Sequence, residues 1–166
     1  GLAASHTDGT WYISGSAPYG GFGANDGNNQ FSSPTQFGAG HTWKRVTMGA
    51  YEGPTFGIRS DDTLWVSGDN DSGRAGINKD QPAQAAVSSP MQIPGTYNSV
   101  WICQYSSHAV KKDGTLWSWG KNNRTQLGLN QSSTNVYYSS PTQVGAETDW
   151  LTVGGNQNYV VMRKKA

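Results

Sequence analysis

Residues 113–129 read DGTLWSWGKNNRTQLGL. The opening Asp-Gly-Thr suits a tight turn, because Asp bonds its own backbone and Gly accepts positive φ. Leu116-Trp117-Ser118-Trp119 then alternates in the way a short strand does, with both tryptophans on one face. The phrase has two relatives, DDTLWVSG at 61–68 and DGTWYISG at 8–15. Their threonines, Thr10, Thr63 and Thr115, stand 53 and 52 residues apart.

Further landmarks keep the same register. The glycine pairs are Gly15 and Gly23, Gly68 and Gly76, Gly120 and Gly128. Asn25, Asn78 and Asn130 follow two residues after the second glycine. Ser-Ser-Pro-x-Gln recurs around Pro34, Pro90 and Pro141, and an aromatic-x-x-Val step recurs as Trp43 to Val46, Tyr97 to Val100 and Trp150 to Val153. An apolar run closes each unit, at Phe56, Ala109 and Val160. Each unit therefore supplies four short strands, and no capped helix pattern interrupts them. The expected architecture is all-β and propeller-like: a single repeat domain over 1–166, with units at about 8–60, 61–112 and 113–166.

DGTLWSWGKNNRTQLGLN, SSPTQVG and W-L-T-V-G together resemble the regulator of chromosome condensation repeat, in a form similar to viral and environmental bacterial members. Repeats one and two depart from it, with Trp11-Tyr12-Ile13 for Leu-Trp-Ser and Asp62 for the turn glycine. Repeat three has Thr125 where the others have Gly20 and Gly73. The resemblance implies a bladed β-propeller, commonly of about seven blades. Three units make an incomplete ring. Residues 2–6 and 159–163 are copies of one strand, so the chain is read either as a segment of a longer propeller or as copies joined end to end, residues 150–153 of one completing the first blade of the next.

Composition limits the function classes. Charged residues are 14% of the chain and the formal net charge is +1, which gives no electrostatic case for nucleic acid. Twenty-two glycines beside seven tryptophans fit Gly-rich turns between aromatic strands rather than disorder. No stretch has the length and apolarity of a membrane-spanning helix. Arg163, Lys164 and Lys165 form a short basic end, read as solvated.

No residue set supports catalysis, a cofactor or a metal. Glu52 and Glu147 are isolated. His6, His41 and His108 fit no zinc spacing; His108 reads as structural and His41 as an exposed loop residue. Cys103 reads as a small buried apolar group. The oxygen-rich stretch 69–73 places its glycine wrongly for a calcium loop, and Gly20-Gly21-Phe22-Gly23 lacks the lysine and helix of a phosphate loop. Asn70, Asn123 and Asn130 begin glycosylation-type triplets that arise easily in a chain of this composition.

The expectation is a non-enzymatic interaction module whose binding lies in variable loops held on a rigid frame. Those loops are 16–22, 69–74 and 121–126, with 25–31, 78–87 and 130–138. Tyr19, Phe22, Arg74, Arg124, Tyr137 and Tyr138 are the contact candidates, toward protein partners or copies of the chain itself. Gly15, Gly23, Gly68, Gly76, Gly120, Gly128, Trp65, Trp117, Trp119, Pro34, Pro90 and Pro141 form the structural signature. The low-charge, polar β repeats resemble those of phage tail or capsid accessory proteins, and that resemblance implies a virion or surface complex, placed on a virion or outside the cell. The family resemblance implies an alternative, a regulator of a small GTPase or of chromatin. A third reading uses Trp and Tyr as carbohydrate-stacking platforms.

Overall fold

The computed structural model describes residues 2–16, 19–24, 30–49, 53–79, 86–131, 136–155 and 160–164. Asn25, Pro18, Glu52, Ser132, Tyr159 and Lys165 lie outside them. Twelve strands and one 3-10 turn, Asp71–Gly73, make up the regular structure of the described residues.

The strands are β1 (Leu2–Ser5), β2 (Trp11–Ser16), β3 (Gln30–Gln36), β4 (Trp43–Met48), β5 (Thr55–Arg59) and β6 (Thr63–Asp69), followed by β7 (Ala86–Ile102), β8 (Ser106–Lys111), β9 (Leu116–Lys121), β10 (Tyr137–Val144), β11 (Trp150–Gly155) and β12 (Val160–Lys164). All described pairings are antiparallel. β7 serves two sheets: residues 86–96 pair with β6, and residues 97–102 pair with β8. The seven-stranded sheet is thus two four-stranded blades joined through one strand. Before them stand β1-β2-β3, and after them the pair β11-β12.

Each sequence repeat supplies four strand segments, but they straddle two blades. The repeat starts at the Asp-x-Thr turn, whereas a blade starts at the aromatic-x-x-Val strand. Blade two is β4, β5, β6 and the first part of β7; blade three is the rest of β7 with β8, β9 and β10. The three N-terminal strands occupy the second to fourth positions of a blade, and β11 and β12 the first and second. Equivalent residues confirm the register: Trp43 faces Arg59, Tyr97 faces Lys111 and Trp150 faces Lys164.

The core lies between blades. Ile13, Phe22, Phe37, Trp43 and Val46 fill the space between blades one and two. Phe56, Leu64, Val66, Tyr97, Val100 and Trp119 fill the next. Val110, Leu116 and Val153 begin a third, flanked by half-buried Trp101, Trp150 and Met162. Second strands are sandwiched on both faces, so Thr55–Ile58 and Ser106–Val110 are buried continuously rather than alternately.

Candidate functional site

The repeated turn is a hydrogen-bonded lock. Asp8, Asp61 and Asp113 each accept on Oδ1 from the N–H and hydroxyl of the threonine two residues on, at 2.6–3.1 Å. The threonine hydroxyl bond is the leading reason these exposed carboxyls ionise below the usual range. Thr63 and Thr115 in turn accept from the Nε1 of Trp65 (2.9 Å) and Trp117 (2.7 Å). The turn then docks the next blade: Trp43 N–H donates to Gly9 O, Tyr97 N–H to Asp62 O and Trp150 N–H to Gly114 O, at 2.8, 2.8 and 3.1 Å. Asp62 adopts φ 67° in place of glycine, and Lys44 and Lys112 hold its carboxylate.

The opposite end of the blades carries the loops between third and fourth strands. A Cβ on Gly20 would lie 2.5 Å from Ser88 Cα, and one on Gly73 2.6 Å from Ser139 Cα. The glycine of one repeat is therefore fixed by the Ser-Ser-Pro strand of the following blade. Asn78 completes this contact, donating its N–H to Ser139 O (2.8 Å) and accepting from Ser140 Oγ (2.9 Å). Asn78 and Asn130 have φ of 57° and 53°, which explains an asparagine at this step of the repeat.

At this loop end the contact candidates divide. Tyr19 and Tyr137 are 48% and 47% exposed, and Arg124 is exposed. Tyr138 is half-buried, packs against the blade core and donates to Gln131 Oε1. Phe22 and Arg74 are corrections, being 1% and 5% exposed. Phe22 packs edge-on to Phe31 within the first inter-blade core. Arg74 pairs with buried Asp69 and donates through Nη1 to Gln104 O (2.9 Å) in blade three. Its own carbonyl accepts from Ser107 Oγ and Trp119 Nε1. Arg74 is a bolt between blades, and Asp69, part of the oxygen-rich stretch, is its counterion.

Sequence reasoning missed Tyr105, which is 38% exposed in the turn between β7 and β8, 5.2 Å beneath Lys121 Nζ. It sits at the same end as Tyr19 and Tyr137. The signal available was its place in a turn on the loop side of the blade. His41 is also corrected: it is half-buried, with ring centroids 5.8 Å from Trp43 and 5.7 Å from Trp65. Among the described residues the tryptophans are buried or half-buried, and the exposed large aromatics are tyrosines.

His108 is fully buried between Ser106 Oγ (3.1 Å) and Ser118 Oγ (2.9 Å). Burial pushes its pKa down from 6.5 to about 4. The unfolded chain therefore binds a proton between pH 6.5 and 4 that the folded chain refuses, so stability falls as pH falls through that window. At ~1.4 kcal/mol per unit, the loss from pH 7 to pH 4 is about 3 kcal/mol. Urea unfolding across that range is expected to show it, and His108→Gln to flatten the limb; an unchanged slope would remove His108 as its cause. The cysteine nearby is inert: burial raises Cys103 to about 11. Among the described residues, no group of three His, Cys, Asp or Glu is placed to hold a metal ion, and no helix is long and apolar enough to cross a membrane.

Comparison with known proteins fits this geometry. Residues 113–161 match the family model described as "Regulator of chromosome condensation (RCC1) repeat". A search of the curated proteins gives no significant match. Among solved structures, Prp20p from Saccharomyces cerevisiae, described with its binding properties to Gsp1p and histones, aligns with TM-score 0.79 at 21% identity, over 99% of this chain and 42% of that one. Yeast RCC1 (Prp20) bound to Kap60 aligns with TM-score 0.78 at 19% identity, over 96% and 38%. Human WBSCR16 aligns with TM-score 0.77 at 18% identity, over 99% and 42%. The chain thus spans about two fifths of the length of each. Residues 113–161 match the RCC1 repeat model, and the chain as a whole has the fold of the RCC1-type β-propellers.

Proposed function

We propose that the chain is a non-enzymatic protein-recognition module whose contacts lie at the loop end of its blades. One observation carries this: Tyr19, Tyr105 and Tyr137 are exposed at that end, beside Arg124. Tyrosine and arginine bring large contact area and directed hydrogen bonds at modest ordering cost, and they are enriched in interface centres. The frame beneath is fixed by the repeated turn and glycine contacts, so the loops are presented rigidly. The yeast relatives are described as bound to Kap60 and as binding Gsp1p and histones, which supports a protein partner as the class.

A photo-crosslinking residue placed at Tyr137, or at Tyr19, is expected to capture a partner polypeptide in extract of the source cells. The same residue at Tyr12, which is exposed on the third strand toward the opposite end, is the control. Capture at Tyr12 equal to that at Tyr137 would overturn the reading. Faster release of GDP from a small GTPase in the presence of the chain would extend it to regulation.

A further inference from the structure

The space between blades two and three differs from its neighbours in one respect. Trp43 follows Gln36 by seven residues and Trp150 follows Gln143 by seven, but Tyr97 follows Gln92 by five. The link into blade three is therefore the short one.

The long links return side chains to the blades they join. The first places His41 against Trp43 and Trp65. The last places Glu147 2.6 Å from Lys164 Nζ, with Asp149 at 3.7 Å. The short link offers only Pro94, Gly95 and Thr96, neither an aromatic ring nor a carboxylate. Where it passes there is a cleft of about 460 Å³, walled by Gly76, Met91, Pro94, Tyr97, Lys111 and Trp117. That volume is in the range of small-molecule sites.

Lys111 holds the strand position that Lys164 holds in the next blade and Arg59 in the previous one. Its Nζ lies 3.6 Å over the Trp117 ring and 5.7 Å from that of Tyr97. Among the described residues, no carboxylate stands within ion-pair distance of it. The cleft thus combines an apolar and aromatic wall with an ammonium that makes no ion pair of the kind Lys164 makes; Asp113, bonded to Thr115 in the turn, attracts it only from beyond ion-pair distance.

We propose that this cleft binds a small aromatic carboxylate, its ring taking the role His41 plays between Trp43 and Trp65, and its carboxylate pairing with Lys111 Nζ as Glu147 pairs with Lys164. A partly desolvated, charge-assisted bond is stronger than a neutral one, so charge decides affinity here. The site is separate from the exposed tyrosines of the loop end and stands or falls independently of them.

The test is titration of the full chain with 3-phenylpropionate, its neutral isostere 3-phenylpropanamide, and propionate, followed by NMR. The Trp117 indole N–H signal is expected to shift with 3-phenylpropionate, with affinity at least tenfold above that for either other probe. Lys111→Met, which keeps the aliphatic stem, is expected to lose at least tenfold, and Lys111→Arg to retain binding. Inserting Gly-His, the pair at 40–41, after Gly95 restores the seven-residue spacing and is expected to abolish binding by refilling the cleft. Equal affinity for acid and amide, or no Trp117 shift at millimolar 3-phenylpropionate in the folded wild-type chain, would overturn the proposal.

Discussion

Arg74→Ala is expected to lower stability by roughly 3–5 kcal/mol, the cost typical of removing one partner of a buried ion pair. The carboxylate of Asp69 is left in a site only 3% exposed, where water cannot replace the guanidinium. Gln104 O loses its donor as well, so the bond between the loop of blade two and the turn of blade three goes with it. Arg74→Ala with Asp69→Ala is expected to recover a large part of the loss, because the penalty comes mainly from the stranded charge. Arg124→Ala is the matched control: the side chain is exposed, and its expected effect stays within about 0.5 kcal/mol. Urea unfolding of the three variants and wild type gives all the differences. A cost at Arg74 no larger than at Arg124 would remove the bolt from the account.

Those two arginines show where sequence reading ends. Both stand in polar loops after a Trp-x-Ser-Gly or Trp-x-Trp-Gly strand; the register separates them, Arg74 following Gly73 and Arg124 preceding its counterpart Thr125, but neither step announces burial. Phe22 is more legible than it looks. It aligns with Ala75 and Leu127, each one residue before the second glycine, and all three are buried at 0–1% exposure. An apolar residue at that step in every repeat marks a core position, which a reading of Phe22 singly, as an interface aromatic, overlooks. The repeat itself is plain in the sequence because it is written in turn chemistry: Asp-x-Thr, positive-φ glycines and Ser-Ser-Pro all act over a few residues. The phase of the blades is not, because it depends on which strands share hydrogen bonds. The cleft beside Lys111 is readable in principle from the five-residue spacing of Gln92 and Tyr97, but only after the grooves on either side show what a longer link supplies.

Gly114→Ala is expected to cost several kcal/mol, and Gly40→Ala about 1 kcal/mol. The pair separates two contributions that usually travel together. Both glycines have positive φ, 83° and 85°, so the backbone penalty for a Cβ is nearly the same. A Cβ on Gly40 meets nothing within 4 Å. A Cβ on Gly114 would lie 1.9 Å from Thr148 O and 2.7 Å from its carbonyl carbon. Backbone cannot rotate away as a side chain can, so the link into β11 must move. Moving it breaks the bond from Trp150 N–H to Gly114 O, which fixes the first strand of the last blade. Val153 then leaves Val110 and Leu116, and that apolar cluster opens. Hydrogen exchange should speed up along β11 and β12 well before the two complete blades are affected, since in a nearest-neighbour array the loss is felt first in the blade whose docking bond is broken. Asp62 supports the same logic from the other side: it takes the equivalent turn position with φ 67°, where the docking link is the short one. Equal losses for Gly114→Ala and Gly40→Ala, with unchanged exchange in β11, would show that the turn does not dock the following blade.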